Sequence, residues 1–141
     1  MTTKTDFTEQ EWDALEKGVT GAGFLVAVAD RSFFDSFKEA GALARHLAEA
    51  RQSSSSELVR QLAETRGTGF GLTASPQEIE TETLAALREA RQALEAKAPE
   101  ELDAYRAFVV DVAQSVGQAA GGGEAAESGA LEQIRAALDG A

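Results

Sequence analysis

The stretch GVTGAGFLVAVAD, residues 18–30, decides the fold of this chain. Twelve consecutive positions carry no charge, and Asp30 then ends the run. Such a segment is a membrane anchor, a ligand-lined helix that ends in a functional carboxylate, or a buried packing helix. Twelve helical residues extend about 18 Å, whereas a membrane span needs about 20 residues. We therefore expect a buried helix whose glycines and alanines let neighbouring helices approach closely.

The residues before this stretch predict where the helix begins. In FTEQEW, residues 7–12, Thr8 and Glu11 fit a capping box, and Phe7 and Trp12 occupy the two positions of a hydrophobic staple. Apolar or small residues then recur at steps of three and four, which is typical of one helical face. The members of this stripe are Trp12, Leu15, Val19, Ala22, Val26 and Ala29.

Helix signals continue to the end of the chain, and no segment predicts a strand convincingly. We expect four further helices led in turn by Ser32, Ser54, Ser75 with Pro76, and Pro99, and a last short helix that contains Leu131, Ile134 and Leu138. The predicted fold is a single all-α domain over residues 1–141, a compact bundle of about six helices in which the first and fifth are long, apolar and central. We expect residues 1–6 to be flexible and residues 67–75 and 121–128 to form glycine-rich loops.

Composition excludes several classes of function. The 141 residues include no cysteine, so disulfides, thiolate metal sites and cysteine nucleophiles are absent. The net charge of −11 opposes binding to nucleic acid or to anionic lipid. The polar, acidic N-terminal residues lack the layout of a signal peptide, which predicts a cytoplasmic protein.

Two segments of the sequence are similar at an offset of 90 residues. EWDALEKGVTGAGFLVAVAD starts at residue 11 and ELDAYRAFVVDVAQSVGQAA at residue 101, with the same apolar steps in both. Two buried helices of similar length often align this well, so duplication and chance both stay open.

The same helices carry a resemblance to known proteins. The helix ending in VAVAD (26–30) and the tail AAGGGEAAESGALEQIRAALDG (119–140) resemble the two halves of the TerB-like tellurite-resistance family. The whole chain is also similar to uncharacterised bacterial helical proteins that begin FTxxEW. The TerB-like resemblance implies an all-helical bundle, a link to stress response and divalent-metal binding through acidic residues. The chain has Arg31 where that family usually has glycine after the Ala-Asp pair.

Few residues suggest catalytic or metal chemistry. Asp30, Asp35 and Glu39 are weak candidates for metal ligands around the turn after the first helix, and we expect no tight calcium or zinc site, no cofactor and no enzymatic activity. His46, the only histidine, lacks the Glu-x-x-His spacing of a di-iron bundle. Asp111 lies between two valines in an apolar helix and is either an exposed edge residue or a functional acid.

The glycine-rich segment RGTGFGLTAS, residues 66–75, is the predicted interaction surface. Phe70 and Leu72 are apolar where loop residues are usually polar, so they either cap the bundle or anchor a partner. The leading functional hypothesis is a non-enzymatic helical module that binds another protein, associated with stress response. The alternatives are a carboxylate-based divalent-metal-binding protein of TerB type and a small enzyme or ligand-binding protein that uses Asp111. A homo-oligomer stays open.

Overall fold

A computed structural model describes residues 4–28, 48, 57–62, 75–119 and 124–139 of the chain. Helices account for nearly all of these residues, and no strand occurs among them, which confirms the all-α prediction. Five α-helices are present in the described ranges: α1 (Glu9–Ala27), α2 (Glu57–Leu62), α3 (Pro76–Lys97), α4 (Leu102–Ala119) and α5 (Glu124–Asp139). Apart from residue 48, the helix predicted to follow Ser32 lies outside the described residues, and so does the loop predicted at 67–75 up to residue 74.

The start of α1 is built as its sequence predicts. The Thr8 side chain accepts a hydrogen bond from the Glu11 amide at 3.1 Å, and the Glu11 carboxylate accepts one from the Thr8 amide at 2.9 Å. The capping box is therefore complete. The rings of Phe7 and Trp12 lie 6.2 Å apart, centroid to centroid, and both side chains are buried, which confirms the hydrophobic staple.

The second half of α1 is surrounded by protein on all sides. Every residue from Gly18 to Ala27 is buried, and the helix ends at Ala27 with Val28 as its C-cap. The helix therefore stops two residues before the predicted last position, Ala29. All four other described helices contact α1, so its central place in the bundle is confirmed.

Close packing between α1 and α3 explains why position 21 of α1 is a glycine. The helices are antiparallel, since Lys17 pairs with Glu82 near one end and Glu11 pairs with Lys97 near the other. A Cβ atom on Gly21 would meet the side-chain carbons of Thr83 at 2.9 Å, well inside normal contact. Only glycine allows the backbone of α1 to lie this close to α3.

The apolar stripe of α4 faces the same core, and its tyrosine reaches across to α1. Tyr105 is completely buried, and its hydroxyl donates a hydrogen bond of 2.8 Å to the carbonyl oxygen of Leu15. Burial raises the pKa of the Tyr105 phenol, because the charged phenolate would lose its hydration. Leu15 and Tyr105 occupy equivalent positions in the two similar segments. The valines of α4 at positions 109, 112 and 116 are also buried.

The remaining helix starts agree only in part with the sequence-based expectations. Ser75 caps α3 as predicted, its hydroxyl accepting from the Glu78 amide at 3.1 Å. Pro99 opens a 3-10 turn, Pro99–Glu101, and α4 proper begins at Leu102. The prediction of a loop over 121–128 is wrong for its second half, because α5 begins at Glu124. Residues 124–127 are alanines and glutamates, which favour a helix and extend it by an additional turn.

At the N-terminus, residues Lys4–Asp6 form a short 3-10 turn, so this part of the predicted flexible segment has regular structure.

Candidate functional site

A trough runs along the surface where α1 and α3 lie side by side. Its larger part has a volume of about 590 Å³. Alanine side chains form its base: Ala14 from α1 and Ala86 from α3 are both about 5% exposed. Because alanine ends at Cβ, the two helices can pack closely here while the surface above them stays open.

Longer, charged side chains form the rim of the trough. Four carboxylates and one ammonium group line its larger part: Asp13, Glu16, Glu82, Glu89 and Lys17. The ammonium is already neutralised, because Lys17 Nζ lies 2.8 Å from Glu82 Oε1. The rim is therefore strongly negative towards solvent.

The rim carboxylates differ in their partners. Glu16 accepts a hydrogen bond of 2.6 Å from the Trp12 indole nitrogen, which fixes it beside the helix. Asp13 and Glu89 are exposed, and within the described part of the chain neither carboxylate has a hydrogen bond or an ion pair to another side chain. Both acids line the trough and are exposed to solvent.

A second, smaller depression of about 380 Å³ continues the trough towards the start of α1. Gln10 and Glu89 line both parts, so the two form one surface feature. At this end Lys97 pairs with Glu11, and the ammonium together with the Thr8 amide holds the pKa of the Glu11 carboxyl below its usual range. Glu11 therefore keeps its negative charge in mildly acidic solution.

Most of the residues singled out from the sequence lie outside the described residues. This applies to the weak metal candidates Asp30, Asp35 and Glu39, to His46, and to the predicted interaction residues Phe70 and Leu72. Asp111 is described, and its side chain is exposed on α4. This exposure agrees with the interpretation of Asp111 as an exposed residue at the edge of the apolar stripe.

Within the described ranges, no group of three or more histidine, aspartate or glutamate side chains is arranged to hold a metal ion. Among the same residues, no helix is long and apolar enough to cross a membrane.

The trough was not predicted from the sequence, although one of its two helices carries a recognisable pattern. On α3, Glu82, Ala86, Glu89, Ala93 and Ala96 recur at steps of three and four and share one face. Acids near the start of a helix are usually solvated surface residues, so the acids at 80–83 do not stand out in the sequence. A helix face of alanines and acidic residues forms a trough only when a similar face of another helix packs beside it. The sequence alone does not show which helices are neighbours.

Comparisons with models of protein families, with curated proteins and with solved structures gave no match.

Proposed function

We propose that this chain is a non-enzymatic helical module that binds a partner protein through the trough between α1 and α3. The observation that supports this is the combination of an alanine base with a rim of four carboxylates, of which Asp13 and Glu89 lack a partner among the described side chains. A concave surface and a concentration of negative charge thus occur at the same site. A negative rim favours a partner surface rich in lysine or arginine.

The overall charge supports a protein partner rather than a polyanion. A net charge of −11 repels phosphate backbones at long range and speeds the approach of cationic surfaces. The link to stress response rests on the TerB-like resemblance alone and, like the cytoplasmic location, stays a prediction.

A pair of charge-reversal variants tests this function. The test variant carries Asp13→Lys and Glu89→Lys, which reverse the charge of two exposed rim residues. The control variant carries Asp111→Lys and Glu132→Lys, which make the same change in net charge at exposed positions of α4 and α5. Each protein is used to capture partners from a lysate of the native cell after cross-linking. We expect the trough variant to lose proteins that the parent and the control variant retain.

The opposite pattern contradicts the proposal. If the parent and both variants capture the same proteins, the trough is not the binding surface. Circular dichroism and thermal unfolding of all three proteins establish that each variant is folded before the comparison is made.

A further inference from the structure

The trough has the length of a short helix. It extends along α1 from Thr8 to Thr20 and along α3 from Ala96 to Glu82. A rise of 1.5 Å per residue over twelve residues gives a length of about 18 Å, which is a little more than three helical turns.

Its volume is also large enough for a helix that is partly sunk into it. A helix of three turns and about 10 Å in diameter, sunk to half its depth, displaces roughly 700 Å³. The two parts of the trough have volumes of about 590 and 380 Å³. A linear polyamine is only one methylene wide and would leave most of this space to water.

The distribution of side chains defines which face such a helix presents. Small residues at the base of the trough leave room for small residues on the partner, so that the two backbones approach closely. Long basic side chains on both edges of that stripe would pack their methylene stems over the alanines and reach Asp13 and Glu89 with their charged ends. A second copy of this chain is disfavoured as the occupant, because two molecules of charge −11 repel each other.

Building on the proposed function, we propose that the occupant is an amphipathic helix of about three turns in the partner protein, with lysine or arginine along both edges of a stripe of small residues. The partner is thus identified by its chemistry: a basic helix with an alanine- or glycine-rich centre. Because Asp13 and Glu89 lie on the solvent-exposed rim, the contact is strongly dependent on ionic strength.

Two synthetic peptides test this inference. The patterned peptide has lysines at both edges of an alanine stripe on one helical face. The control peptide has the same composition, but its lysines are distributed all around the helix. Affinity is measured by calorimetry and by the fluorescence of Trp12, the only tryptophan, which is bonded to rim residue Glu16. We expect the patterned peptide to bind at least about tenfold tighter, equivalent to about 1.4 kcal/mol.

The charge-reversal variants locate the binding. Asp13→Lys with Glu89→Lys should weaken the patterned peptide by about tenfold or more, whereas Asp111→Lys with Glu132→Lys should change its affinity by less than about threefold. Equal affinities of the two peptides, equal losses in the two variants, or spermine binding as tightly as the patterned peptide would each overturn the inference.

The two proposals fail in different ways. If the trough variant loses a partner from the lysate but the patterned peptide does not bind the parent, the trough is an interaction surface and the basic helix is the wrong occupant. If neither the lysate partner nor the peptide depends on Asp13 and Glu89, both proposals are wrong.

Discussion

Gly18 and Tyr105 are in close contact, and the structure predicts that substitutions at these two positions have non-additive effects on the free energy of unfolding. A Cβ atom on Gly18 would overlap the Tyr105 hydroxyl and would lie 2.9 Å from Leu87 Cδ2. That hydroxyl cannot move away without breaking its 2.8 Å hydrogen bond to the carbonyl oxygen of Leu15. The absence of a side chain at position 18 is therefore what lets Tyr105 bond to α1.

The magnitude for Gly18→Ala follows from three opposing effects. Alanine favours the helix by about 1 kcal/mol relative to glycine. Overpacking a filled core costs about 1–3 kcal/mol, and losing the tyrosine hydrogen bond costs about 1 kcal/mol more. We expect a net loss of about 1–3 kcal/mol in the free energy of unfolding. Tyr105→Phe alone should lower the free energy of unfolding by about 0.5–1.5 kcal/mol, which is the usual contribution of one hydrogen bond. The loss stays in this range because the Leu15 carbonyl is part of helix α1 and is not displaced by the substitution.

The double variant separates this explanation from a general effect of the substitutions. Tyr105→Phe removes the atom nearest to the new Cβ, so the combined loss should be about 1 kcal/mol smaller than the sum of the single losses. Chemical denaturation of the four proteins of the cycle, with tryptophan fluorescence as the signal, measures this coupling. Losses that add to within about 0.3 kcal/mol would refute the proposed role of Gly18.

Three further predictions concern the staple, the cap and the buried phenol. Trp12→Ala should lower the free energy of unfolding by about 3–5 kcal/mol, because a large side chain that is 3% exposed is lost, and a loss below about 1 kcal/mol in denaturation experiments would contradict this. Glu11→Gln keeps the capping bond to Thr8 but removes the charge beside Lys97. The pKa of Glu11 is lower in the folded protein than in the unfolded chain, so the parent should be more stable than the variant by the full amount above pH 4.5. This difference in stability should disappear as the pH falls through the pKa of Glu11 in the folded protein. Denaturation curves that show the same difference at every pH would contradict this. Tyr105 has a raised pKa, so stability should fall as the pH rises above about 10, and phenolate absorbance should appear together with the loss of helical circular dichroism rather than before it.

Local signals in the sequence predicted the helices, because their physical causes are local. The capping box of Thr8 and Glu11 and the cap at Ser75 depend only on residues three positions apart. The apolar stripe of α1 likewise predicted which side is buried. The start of α5 at Glu124 was missed because the three preceding glycines suggested a longer break than the helix propensity of the next residues allows.

The candidate site could not be predicted in the same way, because it belongs to two helices about 70 residues apart. Neither Asp13 nor Glu89 has an unusual local sequence. Their significance comes from the antiparallel packing of α1 on α3, which depends on the contact between Gly21 and Thr83. Asp111 shows the opposite case: the sequence left its role open between an exposed edge residue and a functional acid, and the structure shows its side chain exposed on α4.

The most direct test of the proposed function is a titration of isotopically labelled protein with the patterned basic peptide, followed through the backbone amide resonances. The largest shifts are expected in residues 8–20 of α1 and residues 82–96 of α3, with smaller changes in α4 and α5. Shifts of similar size near every exposed acid, including Asp111 and Glu132, would show that only net charge attracts the peptide. That result would contradict the assignment of the trough as the binding surface.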